Sequence, residues 1–380
     1  MKNNKLAYVT YQTFPASTAN SLQTICNVTE IASQGFQVEL VFPNRDKKSS
    51  DNIDDLKKYY NFKEDFLLTR IQHNLPFGKV KLFEKLLYHL SHFLWARKTV
   101  KNITSKKFFD IYITRSDWVF YFLSKQNKNV IFECHQPSKL RDILLKRSLK
   151  KKNSKVIFVN EKLKEKYNEF LLFKKNGLVL ENGYRDNLFR TKLNKNSKQV
   201  TFVGELLRFG ASRNIEFILS CFEDERLNNF TLKIVGGPDE YVQTLKNKKN
   251  FNKNKNIHFL GRKDHESAIN IMLESEIGIL LNTSTNIHST MYTSPLKYYE
   301  YLAAELKIIA TNFESHRNLP FSENILFYNE NDKNSFIESM LSTDKLIPIP
   351  ESKFKEYSIK KRVEKILNFA RLEGLEPPTL

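Results

Sequence analysis

The chain is poor in cysteine: three in 380 residues, Cys26, Cys134 and Cys221, odd in number and without CxxC spacing. That excludes a disulfide framework and a cysteine zinc site, and it points to a reducing compartment. No apolar run approaches the length of a membrane span. The basic start, Met1 to Lys5, leads into an apolar run that ends at Tyr11-Gln12-Thr13. This is too short for a secretion signal and reads as a first strand, so a soluble cytoplasmic protein is expected. The loop after that strand lacks GxGxxG, which removes the dinucleotide fingerprint. No acidic residue occurs between Glu276 and Glu300, and no glycosidase-like carboxylate pair is visible.

Basic residues, by contrast, are in excess, giving a formal net charge of +19. Part of this follows from a general richness in Lys, Asn, Ile and Phe, the signature of an AT-rich genome. The remainder fits an anionic surface or substrate. At 380 residues, rich in Phe and Tyr, the chain is long enough for two domains with separate cores.

The strand Leu6–Thr10, a helix opening at Ser17 to Ser21 with Leu22, Ile25, Val28 and Ile31 at helical spacing, and the strand Val38–Phe42 form a β-loop-α-β unit. Residues 51–107 read as mostly helical and basic. Phe77 to Lys107 interleaves Phe83, Leu86, Leu87, Leu90, Phe93, Leu94 and Trp95 with Lys79, Lys81, Lys85, Arg97, Lys98 and Lys101. Such a segment suits an anionic bilayer or simply buries its apolar face in its own domain. Further buried-type strands run at Asp110–Arg115, Val130–His135, Lys155–Asn160 and Leu178–Gly183. After a polar linker the pattern restarts: strands Gln199–Gly204, Thr231–Gly237, Ile257–Gly261, Ile277–Leu281 and Lys307–Thr311, with helices between. Two doubly wound parallel sheets are expected. The expected domains are 1–184, a linker 185–198, a second domain 199–349, and a C-terminal part 350–380. In that last part a helix, about Pro350 to Leu372, packs back on the first domain, and Gly374, Pro377 and Pro378 open a loose tail.

One stretch carries chemistry. In Thr293-Ser294-Pro295-Leu296-Lys297-Tyr298-Tyr299-Glu300, Ser294 suits a helix N-cap and Pro295 the first helical position. The amides of Leu296 and Lys297 then point, unpaired, from the positive end of a helix dipole, a seat for phosphate. Lys297 adds a charge. Glu300, one turn on, can accept hydrogen bonds from a ribose diol. The plainer reading is a weak Lys–Glu pair on a solvated face.

Ser294-Pro295-Leu296-Lys297 with Glu300-Tyr301-Leu302-Ala303-Ala304 resembles the SPxKxxEYxA signature of a branch of the GT-B-fold glycosyltransferases of family 4, the group 1 glycosyltransferases. Ala19-Asn20-Ser21-Leu22-Gln23, Asn182-Gly183-Tyr184, Val235-Gly236-Gly237-Pro238, Leu260-Gly261-Arg262 and Ile309-Ala310-Thr311 stand in the family's order. The resemblance covers about residues 6–345. It implies a GT-B architecture, two Rossmann-like domains facing a central cleft, and a nucleotide-sugar donor (UDP- or GDP-sugar) held mainly by the second domain. It also implies a glycan or lipid-linked acceptor held mainly by the first, and retention of configuration without a metal or other cofactor. His135, Arg213 and Lys297 take the catalytic places. Arg208, Gly204, Asn20, Thr293, Ser294, Pro295, Leu296 and Glu300 take the donor-binding ones. Glu300→Gln is then expected to weaken nucleotide binding with little effect on the empty protein.

The chain departs from the family at Tyr292, where the first glutamate of an E-x7-E pair normally falls, at Asn214 after Arg213, and at Glu305 after the Ala pair, the last two normally Gly. The stretch Leu206–Ser212 is longer than usual. A bacterial hexosyltransferase on a lipid-linked acceptor, with an anionic membrane surface as partner, is the leading expectation. The alternatives are a nucleotide-sugar epimerase of the same fold, a degenerate inactive homologue, and a basic nucleic-acid-binding protein. No nucleic-acid signature supports the last, and no nucleic-acid partner is expected.

Overall fold

The computed structural model describes residues 4–44, 49–73, 83–171, 174–190, 193–208, 210–248, 251 and 254–371. The chain divides into two compact units. One runs to Glu181 and regains the segment from Arg362; the other spans Asn182–Lys361.

The first unit is built on a parallel sheet of seven strands: β1 (Lys5–Val9), β2 (Gln37–Asn44), β3 (Leu67–Gln72), β4 (Ile111–Thr114), β5 (Val130–Cys134), β6 (Ser154–Phe158) and β7 (Gly177–Val179). Their spatial order is β3-β2-β1-β4-β5-β6-β7. Helices cover both faces of such a sheet, so its central strands are near-continuous apolar runs, and β4 and β5 are buried along their whole length. The strand order reverses between β1 and β4, which places the loops after these two strands at a topological switch point.

The described residues between 51 and 107 are mostly helical, as expected, but β3 separates the helix Ile53–Tyr60 from the helix Glu84–Lys106. It is an edge strand in which only Ile71 is buried and Arg70 turns to Asp51 and the Ser49 carbonyl, so neither period stands out in sequence. Phe77, Lys79 and Lys81 lie outside the described residues. The C-terminal helix is two pieces, Glu351–Phe354 and Ile359–Ala370, parted at an extended Ser358. The break follows from a short parallel bridge between Ser358 and Tyr184, in which the Tyr184 amide donates to Tyr357 and the Ile359 amide to Tyr184. Gly183 is needed there, because a Cβ would lie 2.7 Å from the Tyr357 carbonyl oxygen. The second piece sends Val363, Ile366 and Leu367 into the core of the first unit with Leu6, Ile113 and Ile131. Gly374, Pro377 and Pro378 are outside the described residues.

The second unit holds β8 (Gln199–Val203), a small antiparallel hairpin of β9 (Leu207–Arg208) and β10 (Ala211–Ser212), then β11 (Thr231–Val235), β12 (Ile257–Gly261), β13 (Ile277–Leu280), β14 (Lys307–Thr311) and β15 (Ile325–Tyr328). The six long strands form a parallel sheet ordered β12-β11-β8-β13-β14-β15. The hairpin and β15 were not anticipated. This sheet reverses between β8 and β13, so the loops after those strands flank its switch point.

Candidate functional site

At the second switch point β8 and β13 pair only at Val200–Ile277 and Thr201–Gly278, and then part. The gap is bridged by a buried side chain, Tyr301: the Val203 amide donates to its hydroxyl at 3.1 Å, and the hydroxyl donates to the Ile279 carbonyl at 3.4 Å. Gly278 makes room, since a Cβ there would press within 2.7 Å of the Tyr301 ring. Beside it, the ends of β8, β11 and β12 are laced together through glycine backbone. Gly204 donates to Val235, Gly236 to Gly261, and Leu206 to Gly237, each at 2.9 Å. A Cβ on Gly236 would fall 1.8 Å from the Gly204 oxygen, so the two chains can pass only without a side chain at that point.

Arg213 sits at the end of the loop leaving β8, its amide bonded to the Leu206 carbonyl at 2.9 Å. Its Nε is buried and has no hydrogen-bond partner. Burial pulls the guanidinium below its ordinary range, with Glu205 and the Tyr301 hydroxyl acting in the opposite direction. A desolvated cation with an unused donor is a configuration that an incoming anion would satisfy. Of Arg208 the backbone is described, in β9, and its side chain lies outside the described residues.

The loop leaving β13 ends in a wide π-type turn, His288–Tyr292, and then the helix Leu296–Ala303. Thr293 is buried, its hydroxyl donating to the His288 carbonyl at 2.9 Å. Ser294 does not cap the helix. Pro295 occupies the cap position in extended conformation, while Ser294 is drawn elsewhere: its carbonyl accepts from the Asn182 side chain at 2.6 Å, and its hydroxyl meets that of Tyr299 at 3.3 Å. The amides of Leu296 and Lys297 donate no bond among the described residues, as expected for the first turn of a helix opening at Pro295.

Glu300 is 5% exposed and fully engaged. His265 Nε2 approaches one carboxylate oxygen at 2.8 Å and Lys297 Nζ the other at 2.5 Å. Burial pushes the Glu300 carboxyl up, but the Lys297 charge and the His265 bond outweigh it and bring it down to about 2. In place of the weak, solvated pair considered in sequence there is a triad in which a buried carboxylate holds two half-buried partners. His265 was missed. It opens the helix His265–Glu274 behind the cap Asp264, and no local pattern relates it to a glutamate 35 residues on.

In the first unit, His135 lies just past the carboxyl end of β5, and Asn20 lies in the first turn of the helix Ala19–Ser33 that follows the loop leaving β1. Asn20 is occupied: Arg115, just past β4, donates to its side-chain oxygen at 2.7 Å and to the Gln23 side chain at 3.0 Å. The Ala19–Gln23 segment thus holds an arginine at the first switch point. His135 is half-buried. Deeper in, Glu133 is buried and accepts from Arg362 at 2.7 Å and from the Tyr8 hydroxyl, while Arg362 also donates to Asn27 and to the Glu181 carbonyl, each at 2.9 Å. Among the described residues no group of three or more His, Cys, Asp or Glu gathers as a metal site.

Comparison with known proteins adds a profile match over one stretch and a fold. The profile described as "Glycosyl transferases group 1" matches residues 197–343. A search of curated proteins found no match. Among solved structures, a glycosyltransferase from Rickettsia africae is similar at 16% identity over 97% of this chain and 98% of that one, with a TM-score of 0.66. A sucrose-phosphate synthase from Thermosynechococcus elongatus is similar at 15% identity over 97% and 96%, with a TM-score of 0.65. Anabaena HepE in complex with UDP is similar at 11% identity over 95% and 94%, with a TM-score of 0.61. The two doubly wound units are those of the GT-B fold.

Proposed function

We propose that this chain, which carries a group 1 glycosyltransferase domain over residues 197–343, moves a hexosyl-type sugar from UDP- or GDP-sugar to a glycan or lipid-linked acceptor in bacterial surface polysaccharide synthesis. The observation that carries the reading is at the second switch point. The unpaired Nε of Arg213 and the open amides of Leu296 and Lys297 belong to the two loops that flank it, with Glu300 one turn beyond. Anabaena HepE, of the same fold, is described in complex with UDP, which supports a nucleotide donor.

Breaking the bond between the anomeric carbon and the diphosphate oxygen builds negative charge on the leaving group. Arg213, Lys297 and the helix amides are the groups placed to stabilise it. Configuration is retained when the acceptor oxygen bonds to the anomeric carbon on the face the phosphate leaves, the acceptor's proton passing to the departing phosphate. No carboxylate pair is needed, and no metal enters the scheme. Glu300 fixes the ribose. His135 and Asn20 belong to the first unit.

The test is a thermal-shift panel of UDP-, GDP- and ADP-sugars, followed by titration of the stabilising nucleotide into Glu300→Gln. The expected result is stabilisation by one base class and affinity lowered about tenfold or more, the equivalent of one charge-assisted hydrogen bond. Stabilisation by none of the three, or unchanged affinity in Glu300→Gln, rejects the reading.

The anionic membrane partner rests on the helix Glu84–Lys106 and the residue before it. Phe83, Leu86, Leu90 and Leu94 recur every three or four positions and are all exposed, Leu86 at 66% and Leu90 at 44%. Arg97 and Lys101, also exposed, continue the same stripe. The opposite face buries Ser91, Trp95 and Thr99. An apolar stripe ending in cations suits the boundary of an anionic bilayer. Among the described residues no helix is long and apolar enough to cross one. Co-sedimentation with vesicles containing phosphatidylglycerol, reduced about tenfold by Leu86→Asp with Leu90→Asp and released by salt, is the expected outcome. Equal binding to neutral vesicles counts against it.

A further inference from the structure

We propose that the Lys297–Glu300 pair is the donor-free arrangement of the site, that nucleotide-sugar binding exchanges it, and that His265 is the positioning residue that makes the exchange possible. The inference rests on the donor-site reading above. It concerns how that site works, not whether it exists.

Lys297 lies in the first turn of the helix Leu296–Ala303, where the dipole disfavours a cation. With no anion at the helix end, its ammonium folds along the helix to Glu300, three residues on. A diphosphate seated on the amides of Leu296 and Lys297 presents more charge, closer to the root of the same side chain. The Lys297 side chain is a quarter exposed on a flexible four-carbon stem, so it can turn. Its departure frees acceptor sites on Glu300, and these face the ribose diol that arrives with the diphosphate.

Were Lys297 the sole partner of Glu300, its departure would strand an ionised carboxylate in a buried position. His265 prevents this. Because the carboxylate only accepts, His265 Nε2 carries the proton of the 2.8 Å bond. The ring is held from another element: it begins the helix His265–Glu274, whose cap Asp264 accepts from the Ser267 amide at 2.9 Å and from its hydroxyl at 2.6 Å. The other ring nitrogen, Nδ1, is buried without a hydrogen-bond partner, so the Glu300 bond is what fixes the orientation of the ring. One partner of Glu300 is therefore anchored and the other is mobile. The anchored one keeps the carboxylate charged and aimed while the mobile one changes ligand.

The experiment is calorimetric titration of the ribonucleosides and their 5′-diphosphates into the full chain, using the base class that binds. In Lys297→Met, diphosphate affinity is expected to fall about tenfold, while nucleoside affinity holds or rises because Glu300 no longer competes with its own lysine. A fall of equal size for both ligands means that the pair persists in the complex and overturns the exchange. In His265→Ala, both ligands are expected to weaken about tenfold, and His265→Gln, which keeps a donor near the Nε2 position, to recover most of it. If Glu300→Gln weakens binding but His265→Ala does not, the positioning role falls and the donor site stands. If none of the three substitutions changes affinity, the donor site falls as well.

Discussion

The two switch points of this molecule are built alike and finished differently. Each lies where a parallel sheet reverses its strand order, and each has an arginine in one of the loops beside it. In the first unit that arginine, Arg115, is bonded to Asn20 and Gln23, and another, the buried Arg362, is closed on Glu133, Asn27 and the Glu181 carbonyl. In the second unit Arg213 is half-buried, with its Nε enclosed and unpaired, next to a sheet gap that a tyrosine hydroxyl bridges. Satisfied cations hold a fold together, whereas an unsatisfied one is a standing demand for an anion. On the function proposed above, the difference separates scaffold from recognition within one architecture.

The largest effect expected is in the scaffold. Arg362→Ala leaves Glu133 buried without its main partner and should destabilise the first unit by about 3–5 kcal/mol, read from urea unfolding. Arg213→Ala should do the reverse. Removing a desolvated, underused cation leaves the urea midpoint unchanged or raised, while turnover falls by roughly 10²–10³, or about 3–4 kcal/mol of barrier. Similar losses of stability in both variants would erase the distinction.

A middle-sized effect separates the open end of the helix Leu296–Ala303 from its triad. Glu300 is more acidic folded than unfolded, about 2 against an ordinary 4.5. Stability from this group is therefore present in full above pH 4.5 and lost as the pH falls toward 2. Glu300→Gln should be less stable than the parent at neutral pH, by about 1.5–3 kcal/mol for its charged hydrogen bonds, with the gap closing across that window. Sequence alone suggested that the empty protein would hardly notice this substitution. The buried contacts to Lys297 and His265 are why it should. A gap independent of pH would show that the carboxylate charge is not what the triad holds.

What could be read in advance follows the range of the interaction. Leu6–Val9 and Ile111–Thr114 announce buried parallel strands because burial on both faces demands unbroken apolar runs. The helix start at Leu296 could be read from Ser-Pro because a helix start is a local affair. The capping detail could not, since Ser294 is drawn off by Asn182, 112 residues away. Neither could the contact of His265 with Glu300 or of Arg115 with Asn20, which join separate loops only once the sheets have formed. The edge strand β3 escaped for another reason: partial burial leaves no period to detect.

The smallest effect lies at the far end of the same helix, where the chain departs from the family's glycine. The Leu306 amide donates to Tyr301 and the Glu305 amide to Leu302, the paired bonds of a Schellman motif, which puts Glu305 at the left-handed position with φ 53°. A side chain there costs about 1–2 kcal/mol, against the extra freedom of roughly 0.5–1 kcal/mol that glycine gives the unfolded chain. Glu305 also offers its charge to Lys195, whose ammonium donates to the Ala304 carbonyl at 2.7 Å. Glu305→Gly should therefore stabilise the second unit by no more than about 0.5–1 kcal/mol, with nucleotide affinity untouched. Asn214, the other departure, is left-handed too, at φ 68°. Asparagine tolerates that region and its side chain bonds to Asn331, so Asn214→Gly should show no such gain. If both substitutions stabilise equally, backbone handedness is not what distinguishes them. If Glu305→Gly alters nucleotide affinity, the closed end of the helix is coupled to its open one.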